Sequence, residues 1–394
     1  METAGFSFEL TLSGAARAGV LNTPHAAVET PCFMPVGSQA TVKTLTPDEL
    51  KDLGYNLILA NNYHLYLRPG TQVVGSYGGI HKFMGWNGAL LTDSGGYQVF
   101  SLSPLRKMSD EGVTFRSHID GSEHFFSPEL AIKYQEVFGA DIIMALDECP
   151  PVEASREVIE AAVERTHAWA LRCKSARTRT DQALFPIVQG GLHADLRRRS
   201  AEGLIEADFP GYAIGGLAIG ESKEQTAEIT AATTEILPID KPRYLMGVGS
   251  PEDIVRGVAA GIDMFDSALP TRVARNGALF TRYGRIDIAN ARYEGAKGPI
   301  DKGCGCYACQ NFSAGYVHHL FRAKELLAYR LATLHNLYFM RQMMADIRLS
   351  IIGGRFDDFA RGFLSDYKPT DESVRLSQKR QWLKDRNSSS PSMD

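Results

Sequence analysis

The feature that most narrows the possible folds is a series of eight short apolar runs, each followed at once by Gly, Asn, Asp or Gln. They are Cys32–Val36, Asn56–Ala60, Ala89–Thr92, Asp141–Leu146, Leu184–Val188, Tyr212–Ile214, Tyr244–Met246 and Met264–Phe265. Apolar runs that do not alternate with polar residues indicate parallel strands covered on both faces. Helix-start signals lie between them. Thr46-Pro47-Asp48-Glu49 and Ser222-Lys223-Glu224-Gln225 have the capping-box form, and Ser127-Pro128 and Ser250-Pro251 put proline at a first helical position. Eight such strands predict a closed (β/α)8 barrel of the α/β class, a fold comfortable at 394 residues. The competing doubly wound sheet needs a phosphate loop or G-x-G-x-x-G after the first strand, and Pro35-Val36-Gly37-Ser38 is neither.

Before the first strand, residues 1–30 alternate weakly and predict a small antiparallel sheet with turns at Gly14, Gly19 and Pro24. After the last strand comes an excursion of about residues 270–316, and a helical pattern resumes over Tyr316–Leu349. Residues 1–386 read as one domain, and the Ser-rich residues 387–394 as a disordered tail.

The ends of the eight runs carry the chemistry. Asp93, Asp147, Gln189, Gly215-Gly216-Leu217, Met246-Gly247 and Asp266 follow or close their strands, and in such barrels the loops after the strands share one rim. Two carboxylates, Asp93 and Asp266, suit reaction at an acetal-like carbon, one as nucleophile and one moving a proton. Asp147 and Gln189 can read the edge of a heterocycle. Glycines let backbone N–H groups approach a planar ligand, and Tyr97 and Met246 could sandwich it. The rim has no G-x-S-x-G elbow and no catalytic metal triad, and His64 reads as a residue that backs the rim or lies in the core. Arg272 and Arg275 follow Asp266, where they would hold it ionised or bind an anionic substrate.

Charge is uneven. Between Arg272 and Arg341 eleven basic residues face four acidic ones, so that segment carries +7 in a chain of net −4. A basic lobe on an acidic body suits a polyanion held on one face. No apolar run is long enough to span a bilayer, and the start, METAGFSFEL, is not a signal peptide. Three of the six cysteines, Cys304, Cys306 and Cys309, crowd into a C-x-C-x-x-C cluster that suits a metal in a reducing cytoplasm better than disulfides. A fourth ligand, drawn from His318, His319 or His335, would close a tetrahedral structural zinc site. A zinc-binding subdomain over about 270–349 is therefore expected.

These motifs together resemble the bacterial tRNA-guanine transglycosylase family. The resemblance rests on Thr92-Asp93-Ser94-Gly95-Gly96-Tyr97-Gln98-Val99, Asp147-Glu148-Cys149, Gln189-Gly190-Gly191, Gly215-Gly216-Leu217-Ala218, Met264-Phe265-Asp266 and the cysteine cluster, and it runs from about residue 6 to 367. It implies exchange of the wobble guanine in GUN-anticodon tRNAs (Tyr, His, Asn and Asp acceptors), read within U-G-U, for 7-aminomethyl-7-deazaguanine. By that resemblance Asp266 is the nucleophile and Asp93 the general acid/base. Asp147, Gln189 and the Gly216 N–H hold the pyrimidinone edge, the Leu217 carbonyl takes the aminomethyl group, and Tyr97 and Met246 flank the ring. Arg272 and Arg275 face the anticodon loop. Cys304, Cys306, Cys309 and His335 hold one structural Zn2+ per subunit, and the family implies a cytoplasmic homodimer with no membrane partner. Ser267, Asn62 and Ile219 depart from the residues common in relatives (Cys, Thr and Val). Ile219 is expected to crowd the cyclopentenediol of queuine and favour the smaller precursor. A base-releasing nucleoside hydrolase, a non-catalytic accessory subunit and an inactive zinc-stabilised RNA-binding protein are the alternatives. The guanine-edge residues, the intact Asp93/Asp266 pair and the furnished rim weigh against them in turn.

Overall fold

A computed structural model describes residues 3–12, 14–102 and 106–370. The expected tail, 387–394, lies outside the described residues. All eight apolar runs form parallel strands. Leu57–Ala60, Ala89–Thr92, Ile142–Met144 and Ala183–Phe185 pair side by side in that order. Ile187–Val188, Tyr212–Ile214, Arg243–Leu245, Met264–Ser267 and Cys32–Pro35 form a second sheet, again in that order. The fifth run is split because Pro186 has no N–H to give a ladder. At the other junction Val36 bridges Leu59 in parallel, and the Gly37 N–H donates to the Leu59 carbonyl at 2.6 Å.

Strand parity divides the core. One buried cluster takes Met34, Val36, Leu57, Leu59, Ala89, Leu91, Ile142, Met144, Phe185, Ile187, Ala213, Tyr244 and Met264, drawing on every run. The intervening residues, Phe33, Ile58, Leu90, Ile143, Leu184, Ile214, Leu245 and Phe265, pack in a separate cluster with helical residues such as Trp169, Leu204 and Val258. Both faces are thus apolar, as the absence of alternation requires. The helices start as their sequences direct. Thr46 and Ser222 make full capping boxes, and Ser127 caps the helix Pro128–Phe138. Ser250 instead donates to Asp253 and caps nothing.

The N-terminal sheet, Ser7–Leu12, Ala18–Asn22 and Ala27–Thr30, is antiparallel and packs Leu21, Val28, Phe6 and Phe8 against the first cluster. Gly19 is not a turn as expected but the second residue of a strand. A Cβ there would stand 2.7 Å from the Glu9 carbonyl oxygen and against the Phe8 ring. A second antiparallel sheet, Arg106–Ser109, Gly112–Arg116 and Glu123–Phe126, intervenes between the third and fourth runs and is absent from the sequence expectation. Its first turn is tied down at the Asp110 carbonyl, which accepts from Trp169 Nε1 at 2.7 Å and Arg172 Nη1 at 2.8 Å. Past the last strand the excursion contains the hairpin Ala278–Thr281/Gly284–Asp287. The single helix expected over Tyr316–Leu349 is two, Ala314–Arg322 and Leu326–Ile352, broken at Lys324, whose φ of +58° no helix accommodates.

At the opposite ends of the strands from the predicted rim, Asp141 opens the fourth run with a fully buried carboxylate. Its Oδ1 accepts from the His25 N–H at 3.2 Å and pairs with His25 Nδ1 at 2.7 Å. Its Oδ2 accepts from the Leu90 N–H at 2.8 Å and lies 3.4 Å from His81 Nε2. The two imidazoles stack with centroids 3.8 Å apart and planes 14° from parallel. These three side chains are close enough for a shared cation, but parallel rings aim their nitrogens side by side rather than at one point. The group is therefore a carboxylate clasp. Burial pushes the Asp141 carboxyl up, but bonds from His81, His25 and Leu90 outweigh it and hold it below the usual range. A depressed pKa contributes stability above the unfolded-state value, which is lost as pH falls through the folded one. Asp141→Asn is expected to lower unfolding free energy by roughly 2 kcal/mol at pH 7. The difference should shrink below about pH 4, read from urea midpoints at the two pH values.

Candidate active site

Parity also places the site. On the third strand Ala89 and Leu91 face the first cluster, so Asp93, two further on, emerges at the end of the same face. The same count takes Ile187 to Gln189, Tyr244 to Met246 and Met264 to Asp266. On this face the apolar residues give way to polar ones at the C-terminal ends of the strands.

Asp266 is buried, and both of its hydrogen bonds fall on Oδ1, from the Tyr244 hydroxyl at 2.6 Å and the Gly247 N–H at 2.7 Å. Burial raises its pKa while these two donors oppose the rise. Asp93 accepts from the Asn62 N–H at 2.9 Å on Oδ1, and from Asn61 Nδ2 at 2.5 Å and Gln98 Nε2 at 2.8 Å on Oδ2. Burial nevertheless pushes it up to about 6, with the negative charge of Asp266 adding to the rise. A carboxyl that titrates near neutrality can both give and take a proton.

The base-reading candidates form a chain. Ser94 Oγ donates to Asp147 Oδ1 at 2.7 Å and Gln189 Nε2 to Asp147 Oδ2 at 2.8 Å, while Ser94 Oγ also accepts from the Gly96 N–H at 3.0 Å. Asp147 too is raised by burial against these donors. Its neighbour Glu148 pairs with Arg165, which reaches Asp110 at 3.2 Å and so ties the second antiparallel sheet to this wall. Gly216, at φ +67°, lies against the Gln189 carboxamide, where a Cβ would collide with Oε1. Leu217 is buried and Ile219 half-buried. Met246 is half-buried beside the first cluster, while Tyr97 is 48% exposed on the helix Gly96–Leu102. Arg272 and Arg275 lie on the helix Leu269–Arg275 that leaves Asp266. Arg272 is exposed, and Arg275 is half-buried with Nη1 donating to the Thr271 carbonyl at 2.8 Å.

Sequence reasoning missed several residues here. Tyr244 read as strand core, although a hydroxyl two positions before the rim must find a partner. Asn61 and Gln98 stand at strand ends the sequence marks, but their role, the amides that solvate Asp93, is tertiary. Glu221, just before the cap Ser222, accepts from the Ala218 N–H, from Ile219 N at 3.2 Å, Gly220 N at 3.0 Å and Thr226 Oγ1 at 2.6 Å. It holds the turn after Leu217, in which Ala218 has φ +58°. Burial pushes Glu221 up, but Thr226 and these N–H groups more than offset it and keep the carboxyl below the usual range.

Beside this mouth Cys304, Cys306, Cys309 and His335 bring their Sγ and nitrogen atoms within 4.8 Å of one another, close enough to hold a metal ion. His335 Nδ1 lies 3.4 Å from the sulfurs of Cys306 and Cys309 and 3.8 Å from that of Cys304. Its Nε2 is 2.7 Å from the Phe280 carbonyl, which fixes the tautomer and leaves the Nδ1 lone pair for a ligand bond. Of the alternatives, His318 instead bonds the Ile288 carbonyl at 2.9 Å. Asn336 accepts from the Phe280 N–H at 2.9 Å and donates to the Pro270 and Ala278 carbonyls at 3.0 Å. It thereby joins this group to the helix carrying Arg272.

A family model described as queuine tRNA-ribosyltransferase matches residues 12–369. Similar proteins bearing that name include one from Dehalococcoides mccartyi, 58% identical over 377 residues and 96% of each chain. Another, from Pelotomaculum thermopropionicum, is 57% identical over 92% of this chain and 99% of its own. A third, from Herpetosiphon aurantiacus, is 55% identical over 94% and 95%. With such coverage the class is clear: this is a transferase, of the glycosyl-transferring kind. The chain belongs to the queuine tRNA-ribosyltransferase family.

Tyr244→Phe removes a donor to the ionised form of Asp266, so the raised pKa should rise further. Turnover should fall at least about tenfold at pH 6 and recover partly toward pH 8. A pH–rate profile of the variant unchanged from wild type would show that the hydroxyl does not tune this carboxylate.

Proposed function

We propose that the protein exchanges the wobble guanine of GUN-anticodon tRNAs for 7-aminomethyl-7-deazaguanine, within U-G-U, by double displacement. The observation that carries this reading is the unequal treatment of two buried carboxylates. Asp266 is bonded on Oδ1 alone, which leaves Oδ2 to form a bond, whereas Asp93 is bonded on both oxygens and burial pushes its pKa up to about 6. Asp266 Oδ2 attacks the ribose anomeric carbon. The glycosidic bond breaks, and guanine leaves with the electron pair and a proton from Asp93. Asp93, now ionised, takes the ring proton of the incoming base, whose nitrogen attacks the same carbon and expels the Asp266 carboxylate. One glycosidic bond is lost and one made, so no energy source or redox partner enters the balance.

Asp147, Gln189 and the Gly216 N–H offer the acceptor and donors that match a pyrimidinone edge, and the Leu217 carbonyl an acceptor for an ammonium. Tyr97 and Met246 flank the ring, and the half-buried Ile219 disfavours a base as large as queuine. Arg272 and Arg275 meet the anticodon-loop phosphates. The parallel strands close into a (β/α)8 barrel, a reading supported by the Val36–Leu59 bridge and the single Pro186 interruption. Cys304, Cys306, Cys309 and His335 would hold a structural zinc. Four protein ligands leave it no open position, and its role would be to brace the hairpin and the Arg272 helix. Residues 270–349 act as the metal-bearing part of one catalytic domain, in a cytoplasmic homodimer. No helix among the described residues is long and apolar enough to cross a membrane.

Purified protein is expected to incorporate radiolabelled guanine into an unmodified GUN-anticodon tRNA without ATP. Asp266→Asn should abolish incorporation and the denaturation-stable protein–tRNA adduct while tRNA still binds; adduct formation by that variant would move the nucleophile elsewhere. Cys306→Ala should lose zinc by elemental analysis and lower the thermal midpoint by several degrees, roughly what loss of a structural metal implies. A zinc-free variant with wild-type stability and activity would refute the structural assignment.

A further inference from the structure

We infer that Arg197 is the positioning residue of the base-reading wall, holding the ends of two strands in the register at which Gln189 and Gly216 meet one ligand edge. This rests on the base-exchange reading above. Arg197 lies in the first turns of the helix Ala194–Glu206, and its side chain is wholly buried. Its guanidinium spans both strands. Nη1 donates to the Val188 and Gly215 carbonyls, each at 2.8 Å, and Nε to the Gly191 carbonyl at 3.0 Å. These carbonyls bracket the reading groups, since Val188 precedes Gln189, Gly191 follows it by two residues and Gly215 precedes Gly216.

The surrounding packing leaves little slack. A Cβ on Gly190 would stand 2.7 Å from the Arg197 backbone nitrogen, so the turn after the fifth run sits directly on the start of this helix. The Gln189 N–H donates to Ser200 Oγ, one helical turn further along, at 3.2 Å. Across the gap, a Cβ on Gly215 would stand 2.8 Å from Gln189 Nε2, and one on Gly216 would strike Oε1. The carboxamide therefore packs directly against the Gly215–Gly216 backbone, a contact sensitive to the separation of the two strand ends. The guanidinium fixes that separation.

The choice of arginine is itself informative. Among the described residues no carboxylate lies in ion-pair contact with Arg197, and burial lowers its pKa to about 10, which leaves it charged at neutral pH. An unpaired buried cation is costly where apolar packing would serve the fold. A planar fork that reaches three carbonyls at fixed angles is what lysine or an apolar side chain cannot supply. Its remaining nitrogen, Nη2, is buried without a hydrogen bond and lies 3.6 Å from where a Gly216 Cβ would stand.

The test compares wild-type protein with Arg197→Lys, which keeps the charge and loses the fork, and with Arg197→Met, which loses both at similar volume and without the desolvation cost. Exchange is measured with guanine varied at saturating tRNA and with tRNA varied at saturating guanine, and guanine binding is followed by calorimetry. Both variants are expected to raise the guanine KM and Kd at least about tenfold. The tRNA KM should stay within about twofold. A folded variant with wild-type guanine affinity would overturn the assignment. So would a tRNA KM that rises by the same factor as the guanine KM, or failure of both variants to fold, either of which makes Arg197 a residue of the fold alone. Absence of exchange in the wild type would refute the reaction instead, and guanine binding by the three proteins would still decide the role of Arg197.

Discussion

A strand buried on both faces offers no neutral place for a charge, and this chain puts carboxylates on such strands. Side chains two residues apart share a face, so the face that presents Ala89 and Leu91 to the interior must also present Asp93, and that of Met264 must present Asp266. Only the strand ends tolerate this, and there only if each carboxylate brings its own donors. Asp266 has Tyr244 and Gly247, Asp93 has Asn61, Asn62 and Gln98, and Asp147 has Ser94 and Gln189. Donors are fewer than full ionisation would favour, so burial wins and all three pKa values move up.

Much of this was legible in the sequence because it follows a short-range rule. Eight apolar runs followed by polar or glycine residues locate the strands within a residue or two, and Asp93, Gln189 and Asp266 stand at their ends. Capping boxes at Thr46 and Ser222 were equally plain, since their partners lie three residues away. What the sequence concealed was tertiary. Tyr244 looks like any strand aromatic until its hydroxyl is seen to meet Asp266, 22 positions later. Arg197 occurs in a run of three arginines, and only folding shows which of them points inward. Gly19 resembles a turn residue, yet its lack of a side chain serves contact with Glu9 and Phe8. The sheet Arg106–Phe126 has only a local signal, Glu111-Gly112 and Asp120-Gly121 flanking an alternating stretch, which does not form an apolar run.

The Cys304/Cys306/Cys309/His335 group, close enough to hold a metal ion, extends the same logic outward from the mouth. Its histidine is oriented by the Phe280 carbonyl, and the adjacent Asn336 grips both Phe280 and Pro270. Two consecutive residues of one helix thereby link the thiols, the hairpin and the start of the Arg272 helix. The carboxylates are thus held by the strands and the basic residues by the excursion. Within the excursion, Asn336 joins the start of the Arg272 helix to the hairpin.

The helix Leu326–Ile352 has a further effect, on the order in which the protein can be made. Arg330 pairs with Glu49, Tyr55 donates to the Leu337 carbonyl, Arg341 to that of Gly54, and Arg348 to those of Gly19 and Thr30. Arg348 and Gly19 are 329 positions apart. During synthesis the first strand therefore emerges long before the helix that clamps it, and the loop closed by that contact is nearly the whole chain. These contacts to the first strands cannot form until the ribosome has released the last long helix. A nascent chain stalled before that helix would expose the apolar faces of Cys32–Pro35 and Leu57–Ala60 to chaperones or to other chains.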